Sequence, residues 1–291
     1  MIKYYIDDFD IEVDNYKLDD EVINNINKLF NIVNNPKFRR VPKFKKKNEI
    51  NFEILRNFKS TKLQIDNEGF KKNINNIKTL INKLSADTYI NISENIQKEL
   101  NSIINVLNNE HKNEISDFIL KVCSSNKYYS NLYTDLYSVL YNNFEFINTH
   151  FNKNSNDLIL KYKNIDYCLS SVDYNKHCEI NKNNDIIKAN FVFLSNLTNN
   201  NILKTNSIYN IINDIFDYMN TFLMNLDVIN NHIIYELTDL LYNIINNIND
   251  KNINDKNIND IKNNINNIIN TPSINNSIKF KFFDIQDKLY K

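Results

Sequence analysis

The scarcity of glycine is the feature that most restricts this chain. Its 291 residues include one glycine, Gly69, and three prolines, Pro36, Pro42 and Pro272. Tight β-hairpin turns and phosphate-cradling loops need backbone conformations with positive φ, which glycine adopts without steric cost. The sequence therefore disfavours sandwiches and barrels, and it cannot encode a P-loop or a GxGxxG nucleotide-binding turn. We expect an all-α fold.

Charge and cysteine content restrict the partners and the cellular compartment that we expect for the protein. The 35 Lys and Arg residues balance 35 Asp and Glu residues, so no overall field attracts the chain to nucleic acid and any basic contact is local. Three cysteines, Cys123, Cys168 and Cys178, are an odd number that fits free thiols in a reducing compartment. No apolar run reaches the roughly 18 residues that a membrane span requires. We expect a soluble cytoplasmic protein.

Apolar residues recur at helical spacing from Phe70 onward. The first stripe places Phe70, Ile74, Ile77, Ile81 and Leu84 on one helix face. Further stripes run through residues 89–107, 115–122, 132–147, 187–197, 208–222, 233–248 and 278–289. About ten amphipathic helices in succession predict an α-solenoid of about five HEAT-like helical hairpins. An irregular helical bundle remains the alternative, because periodicity alone does not distinguish the two.

The regions outside these stripes have their own composition. Residues 1–36 form an acidic N-terminal arm with a short helix expected near Val22 to Val33, and residues 37–68 form a basic linker before the helical domain at 69–291. Between the first two helices of that domain, Ser85 is expected to cap the second helix, with Asp87 in its first turn. The KNIND repeats of residues 249–259 are expected in a loop or a frayed helix end.

Four blocks of the helical domain resemble a known family. LINKLSADTY, residues 80–89, is similar to the opening hairpin of the middle domain of eukaryotic translation initiation factor 4G, which reads ILNKLTP and then an aromatic residue. Residues 118–140, 188–203 and 275–289 resemble three later helices of that domain, in the same order. Ala189 and Ser195 replace two glycines of the family pattern, and Lys279 replaces an arginine. Together the blocks cover about residues 69–291.

The resemblance implies a scaffold without catalytic activity, which binds a 4A-type DEAD-box RNA helicase and stimulates its ATP cycle. The family's helicase contact carries over to Lys78, Ile81, Leu84 and Tyr89 in the first hairpin. Such a contact needs an exposed apolar centre beside polar groups. The alternative interpretation is that Ile81 and Leu84 lie in the hydrophobic core, since apolar residues at helical spacing usually face the interior.

The N-terminal region suggests further partners. A basic run, Arg39, Arg40, Lys43, Lys45, Lys46 and Lys47, alternates with Phe38 and Phe44 and could follow an RNA backbone while the rings stack on bases. A solvated linker is the equally simple interpretation. The family's docking motif for a 4E-type cap-binding protein is not found in the arm, which leaves Tyr4 and Tyr5 as candidate anchors for such a partner.

No arrangement of residues indicates catalysis, a metal or another cofactor. Cys168 and the neighbouring pair His177 and Cys178 fit no common zinc spacing and no activated thiol. The leading hypothesis is therefore a non-enzymatic scaffold of translation initiation that links a helicase to a cap-binding protein, to mRNA, or to both. A middle-domain scaffold of mRNA decay, splicing, cap binding or poly(A)-associated regulation, and an RNA-binding helical module without a helicase partner, remain the alternatives.

Overall fold

The structure is a computed structural model that describes residues 19–33, 70–249 and 255–289. The chain divides into two compact units, residues 1–64 and 65–291. The described residues contain eleven α-helices and no β-strand, which confirms the all-α prediction. The proposed RNA-binding run from Arg39 to Lys47 and the candidate anchors Tyr4 and Tyr5 lie outside the described residues.

In the first unit the described part is one helix, α1, Asp20–Val33. The sequence predicts a short helix at this place, and the structure confirms it. Its first turn carries Asp20 and Glu21, which are favourable near the positive end of the helix dipole. Its apolar residues Val22, Ile23 and Phe30 are exposed.

The second unit contains the other ten helices in its described part. They are α2 Phe70–Ile81, α3 Tyr89–Ile103, α4 Asn109–Ser124, α5 Ser130–Asn143, α6 Glu145–Ile159, α7 Tyr174–Asn199, α8 Thr205–Leu223, α9 Val228–Asn247, α10 Asp255–Ile269 and α11 Asn276–Leu289. A 3₁₀ helix, Leu160–Asn164, follows α6 directly and packs on both α6 and α7.

These helices form a solenoid, as the spacing of the stripes predicts, and five successive pairs follow one another along it, α2/α3 to α10/α11. In four of the pairs the two helices pack on each other, whereas in the third pair α6 packs on α4 and α5 rather than on α7. The second helices of the pairs lie side by side, with α3 on α5, α5 on α7, α7 on α9 and α9 on α11. The first helices form the other layer, where α4 packs on α6 and α8 on α10. Each pair buries its apolar face mainly against its neighbours, which is the arrangement expected of HEAT-like repeats.

Two boundaries differ from the sequence prediction. Leu84 lies beyond the end of α2, in the turn. The stripe of residues 132–147 is divided into α5 and α6 at Phe144, whose backbone is extended with φ −126° and ψ 105°. The last KNIND residues, from Asp255, form the start of α10, so of the two places expected for them the helix end is the one found. Apolar spacing passes through a one-residue break such as Phe144 because both helices face the same core.

Helix α7 is the centre of the unit. Every residue from 187 to 198 is buried, polar ones included, so the stripe predicted there is only one side of a helix enclosed all round. Two of its polar side chains are paired, since Ser195 Oγ donates to Phe191 O at 2.9 Å and Asn196 Nδ2 donates to Ser130 Oγ of α5 at 3.1 Å. Ala189 and Ser195, which stand where the family pattern has glycine, both fit this packing.

An ion network joins the second helices of the last three pairs. Lys188 Nζ of α7 lies 2.7 Å from Glu236 Oε2 and 2.9 Å from Asp239 Oδ2 of α9, and Lys281 Nζ of α11 lies 2.7 Å from Asp239 Oδ1. Burial alone would lower the pKa of Lys188, but hydrogen bonds and charge from Glu236 and Asp239 outweigh burial and raise it. The network therefore fixes the register of three neighbouring helices with two positive and two negative groups.

Candidate partner-binding edge

The turn between α2 and α3, residues 82–88, is closed by its own hydrogen bonds. Ser85 N donates to Thr88 Oγ1 at 2.9 Å and Thr88 N donates to Ser85 Oγ at 3.3 Å, the reciprocal pattern of a capping box. Thr88 Oγ1 also donates to Lys83 O at 2.8 Å. The N-cap of α3 is Thr88, without a side-chain cap hydrogen bond, so the prediction that Ser85 caps α3 with Asp87 in its first turn is wrong. Ser85 instead closes the turn that precedes α3. A turn fixed in this way presents its neighbours in one geometry.

The structure separates the four residues predicted to contact a helicase. Ile81 is 0% exposed and Leu84 is 8% exposed, and both belong to the hydrophobic core. Lys78 is exposed, with Nζ 5.0 Å from the centroid of the Phe118 ring, and Tyr89 is half-buried against the core. A partner can reach Lys78 and the edge of Tyr89. Ile81 is closed to direct contact because the stripe that includes it faces the other helices.

Tyr89 connects this turn to the second pair of helices. Burial, and then the nearby charge of Asp135 on α5, raise the pKa of Tyr89, while a hydrogen bond to Ser93 lowers it part of the way. Further along both helices, Asn143 Nδ2 at the end of α5 donates to Gln97 Oε1 in the middle of α3 at 2.8 Å. Helices α3 and α5 therefore run in the same direction, and the turns that precede them lie at the same edge of the solenoid.

That second turn carries the most exposed aromatic residue described. Tyr128 is 95% exposed and Tyr129 is 57% exposed, in the connection between α4 and α5. Asn126 Oδ1 accepts a hydrogen bond from Tyr129 N at 3.2 Å, which holds the turn in place. At the start of α3, Ile90 is 73% exposed. These three residues are not among the predicted contact residues, since apolar periodicity identifies core positions and gives no signal for exposed apolar residues.

These two turns form one surface, which we call the turn edge; its exposed large apolar residues are Ile90, Tyr128 and Tyr129. The edge does not continue to the start of α7, because Asn196, near the C-terminal end of α7, donates to Ser130 at the start of α5. Tyr174 at the other end of α7 is about 33 Å away along the helix. Val106 is exposed after the C-terminal end of α3, at the opposite edge of the same helices.

The cysteines and histidines show no arrangement for catalysis in the described residues. His177 Nδ1 lies 2.6 Å from Cys168 O, and the Cys123 thiol is buried, which raises its pKa. In the described ranges no group of three or more His, Cys, Asp or Glu side chains could hold a metal ion. Within the same ranges no helix is long and apolar enough to cross a membrane.

Comparison with models of known protein families found no match, and comparison with curated proteins found none either. The functional interpretation therefore depends on the residues of the turn edge and on the four resembling blocks.

Proposed function

We propose that the second unit is a scaffold that binds and stimulates a 4A-type DEAD-box RNA helicase through the turn edge. The observation that supports this most directly is the group of exposed apolar residues Ile90, Tyr128 and Tyr129, beside the hairpin that resembles the initiation factor 4G middle domain. An apolar centre surrounded by polar groups is the usual composition of an energetically important contact.

The contact surface differs from the one that the family resemblance implies. Tyr128 and Tyr129 supply accessible aromatic area, and Lys78 and the ring edge of Tyr89 supply polar groups nearby. Buried Ile81 and Leu84 act indirectly, because they hold the hairpin against the core.

The experiment is ATPase stimulation of a purified 4A-type helicase by the full chain, together with a pull-down. We expect Tyr128→Asp/Tyr129→Asp to weaken binding at least about thirtyfold, since central aromatic residues of interfaces contribute roughly 2 kcal/mol or more. Aspartate suits this position before α5, so the fold should persist.

The matched control is Val106→Asp, because Val106 is 80% exposed on the opposite edge. It should bind and stimulate like the wild type. Failure of the folded wild-type chain to bind the helicase, or equal loss in the two variants, would refute the proposal. Leu84→Asp is not an informative variant, because a charge at that buried position disturbs the hairpin itself.

We further propose that the N-terminal region supplies the links to mRNA and to a cap-binding protein. The basic run from Arg39 to Lys47 and the aromatic anchors Tyr4 and Tyr5 are the residues concerned. Replacing the six basic residues of the run with Gln should weaken RNA retention and reduce its salt dependence, while helicase binding persists. Unchanged RNA retention would contradict this part of the proposal.

A further inference from the structure

A second site of interest is a cavity of about 590 Å³ between α4, α6 and α7. Its polar lining includes Lys121 and Ser124 of α4, Lys161 after the end of α6, and Asn190 of α7. Leu120, Leu158 and Ile186 form its apolar walls. This volume is within the range of pockets that bind small molecules.

Both lysines line the cavity, and among the described residues neither Lys121 nor Lys161 forms an ion pair. Burial, and then the positive charge of Lys121, lower the pKa of Lys161. A bound anion with two negative charges would offset the positive charge of both ammonium groups.

Asn190 is an independent indication of a ligand. Its side chain is 1% exposed, and Nδ2 has no hydrogen-bond partner among the described residues. An unsatisfied buried amide costs free energy, so native structures rarely retain one without a role for it. Because Asn190 lines the cavity, its amide would add a neutral donor to the two ammonium groups.

The acidic residues of the lining restrict the ligand further. Asp117 and Asp157 line the same cavity, and Asp117 Oδ1 lies 2.9 Å from His150 Nε2. These carboxylates accept hydrogen bonds and would repel a ligand that is anionic throughout. A phosphate at the lysines combined with hydroxyl groups toward the aspartates satisfies both kinds of group.

We propose that this cavity binds the phosphate of a small phosphorylated sugar, with its hydroxyl groups directed to Asp117 and Asp157. Lysine binds phosphate well as a point charge, whereas the planar paired contact favoured for carboxylates usually comes from arginine. The proposal is independent of helicase binding, and it is tested on the chain alone.

The test is calorimetry and thermal melting of the full chain with ribose 5-phosphate, with unphosphorylated ribose and citrate as comparison compounds. Ribose 5-phosphate should bind and raise the melting temperature in a concentration-dependent manner, while ribose and citrate should not. Lys121→Met and Lys161→Met should each weaken binding at least tenfold. Both changes keep the aliphatic part of the side chain, and circular dichroism checks that the variants are folded. If Lys161→Met unfolds, the comparison with the wild type is made with Lys121→Met, because Lys121 is exposed.

The matched control is Lys98→Met, on a lysine side chain that is 73% exposed on α3, and it should leave binding unchanged. Absence of ribose 5-phosphate binding, equal binding of ribose or citrate, or full affinity in both cavity variants would overturn the proposal. An oligoribonucleotide offers the same phosphate and ribose chemistry from another source. Lysine-dependent binding of that polymer without ribose 5-phosphate binding would overturn the small-sugar assignment in favour of an RNA backbone.

Discussion

Replacement of Lys188 by methionine tests the ion network of the last three helix pairs. The change keeps most of the side-chain volume and removes the ammonium group that lies 2.7 Å from Glu236 and 2.9 Å from Asp239. Asp239 retains Lys281 at 2.7 Å, so Glu236 loses its partner in the network. The remaining charges no longer cancel, and two carboxylates face each other across one turn of α9.

The expected loss follows from the burial of the groups. Removing one partner of a buried ion pair costs about 3–5 kcal/mol. The Lys188 side chain is 9% exposed, but the carboxylates are about one-fifth exposed and water can solvate them in part, so the lower end of about 3 kcal/mol applies. In a domain of this size, each kcal/mol shifts the melting temperature by roughly 2–4 °C, which gives a decrease of roughly 6–12 °C.

The pH dependence gives a second criterion. Burial alone would raise the pKa of Asp239, but hydrogen bonds and charge from Lys281 and Lys188 outweigh burial and lower it. A carboxyl group with a lowered folded pKa contributes stability above the ordinary pKa of about 3.9, and this contribution disappears as the pH falls through the folded value. The Lys188→Met variant has less of this contribution to lose, so its melting curve should approach that of the wild type below about pH 4.

The assay is thermal unfolding followed by circular dichroism at pH 7 and at several values down to pH 3. Lys98→Met is the control, because its partner Glu94 lies 3.8 Å away on an exposed surface and such pairs contribute about 0–1 kcal/mol. A Lys188→Met variant that melts within 2 °C of the wild type at pH 7, taken as roughly the shift from 1 kcal/mol, would refute the view that this network holds the helices in register.

Two further predictions concern the buried residue Ile81 and the difference in exposure between Cys123 and Cys178. Ile81→Ala should lower the free energy of unfolding by about 2–5 kcal/mol in denaturant melts, because it removes methyl groups from a fully buried site; a loss below about 1 kcal/mol would place Ile81 at the surface instead. Cys178 should react quickly with a thiol reagent in the native protein and Cys123 should not, because Cys178 is exposed whereas burial removes access to Cys123 and raises its pKa. Equal rates at the two cysteines under native conditions would contradict this assignment.

Much of the helical framework could be predicted from local pattern. The stripe from Ile74 to Ile81, the short helix after Asp20 and the succession of helices from Phe70 onward all follow from apolar spacing and from the lack of helix-breaking residues. The single break at Phe144 could not be predicted in this way, because the residues on both sides face one core and keep the same spacing.

The candidate sites were less accessible to sequence reasoning. A family block identifies positions but not their exposure, so Ile81 and Lys78 received the same predicted role although one is buried and the other exposed. Tyr128 could not be identified as a surface residue because tyrosine is common in this chain in both settings. The pairing of Lys188 with residues of α9, 48 and 51 positions later, depends on how the helices stack.

The helical and repetitive character of this protein can be read from its amino-acid sequence, because glycine content and apolar spacing act on each segment locally. The packing of the helices is needed to know which apolar residues remain outside the core, that Lys121, Lys161 and Asn190 line one cavity, and which surface is open to a partner. The physical reason is that exposure and the proximity of charges depend on neighbours distant in the chain, and a solenoid brings those neighbours together only when its pairs stack.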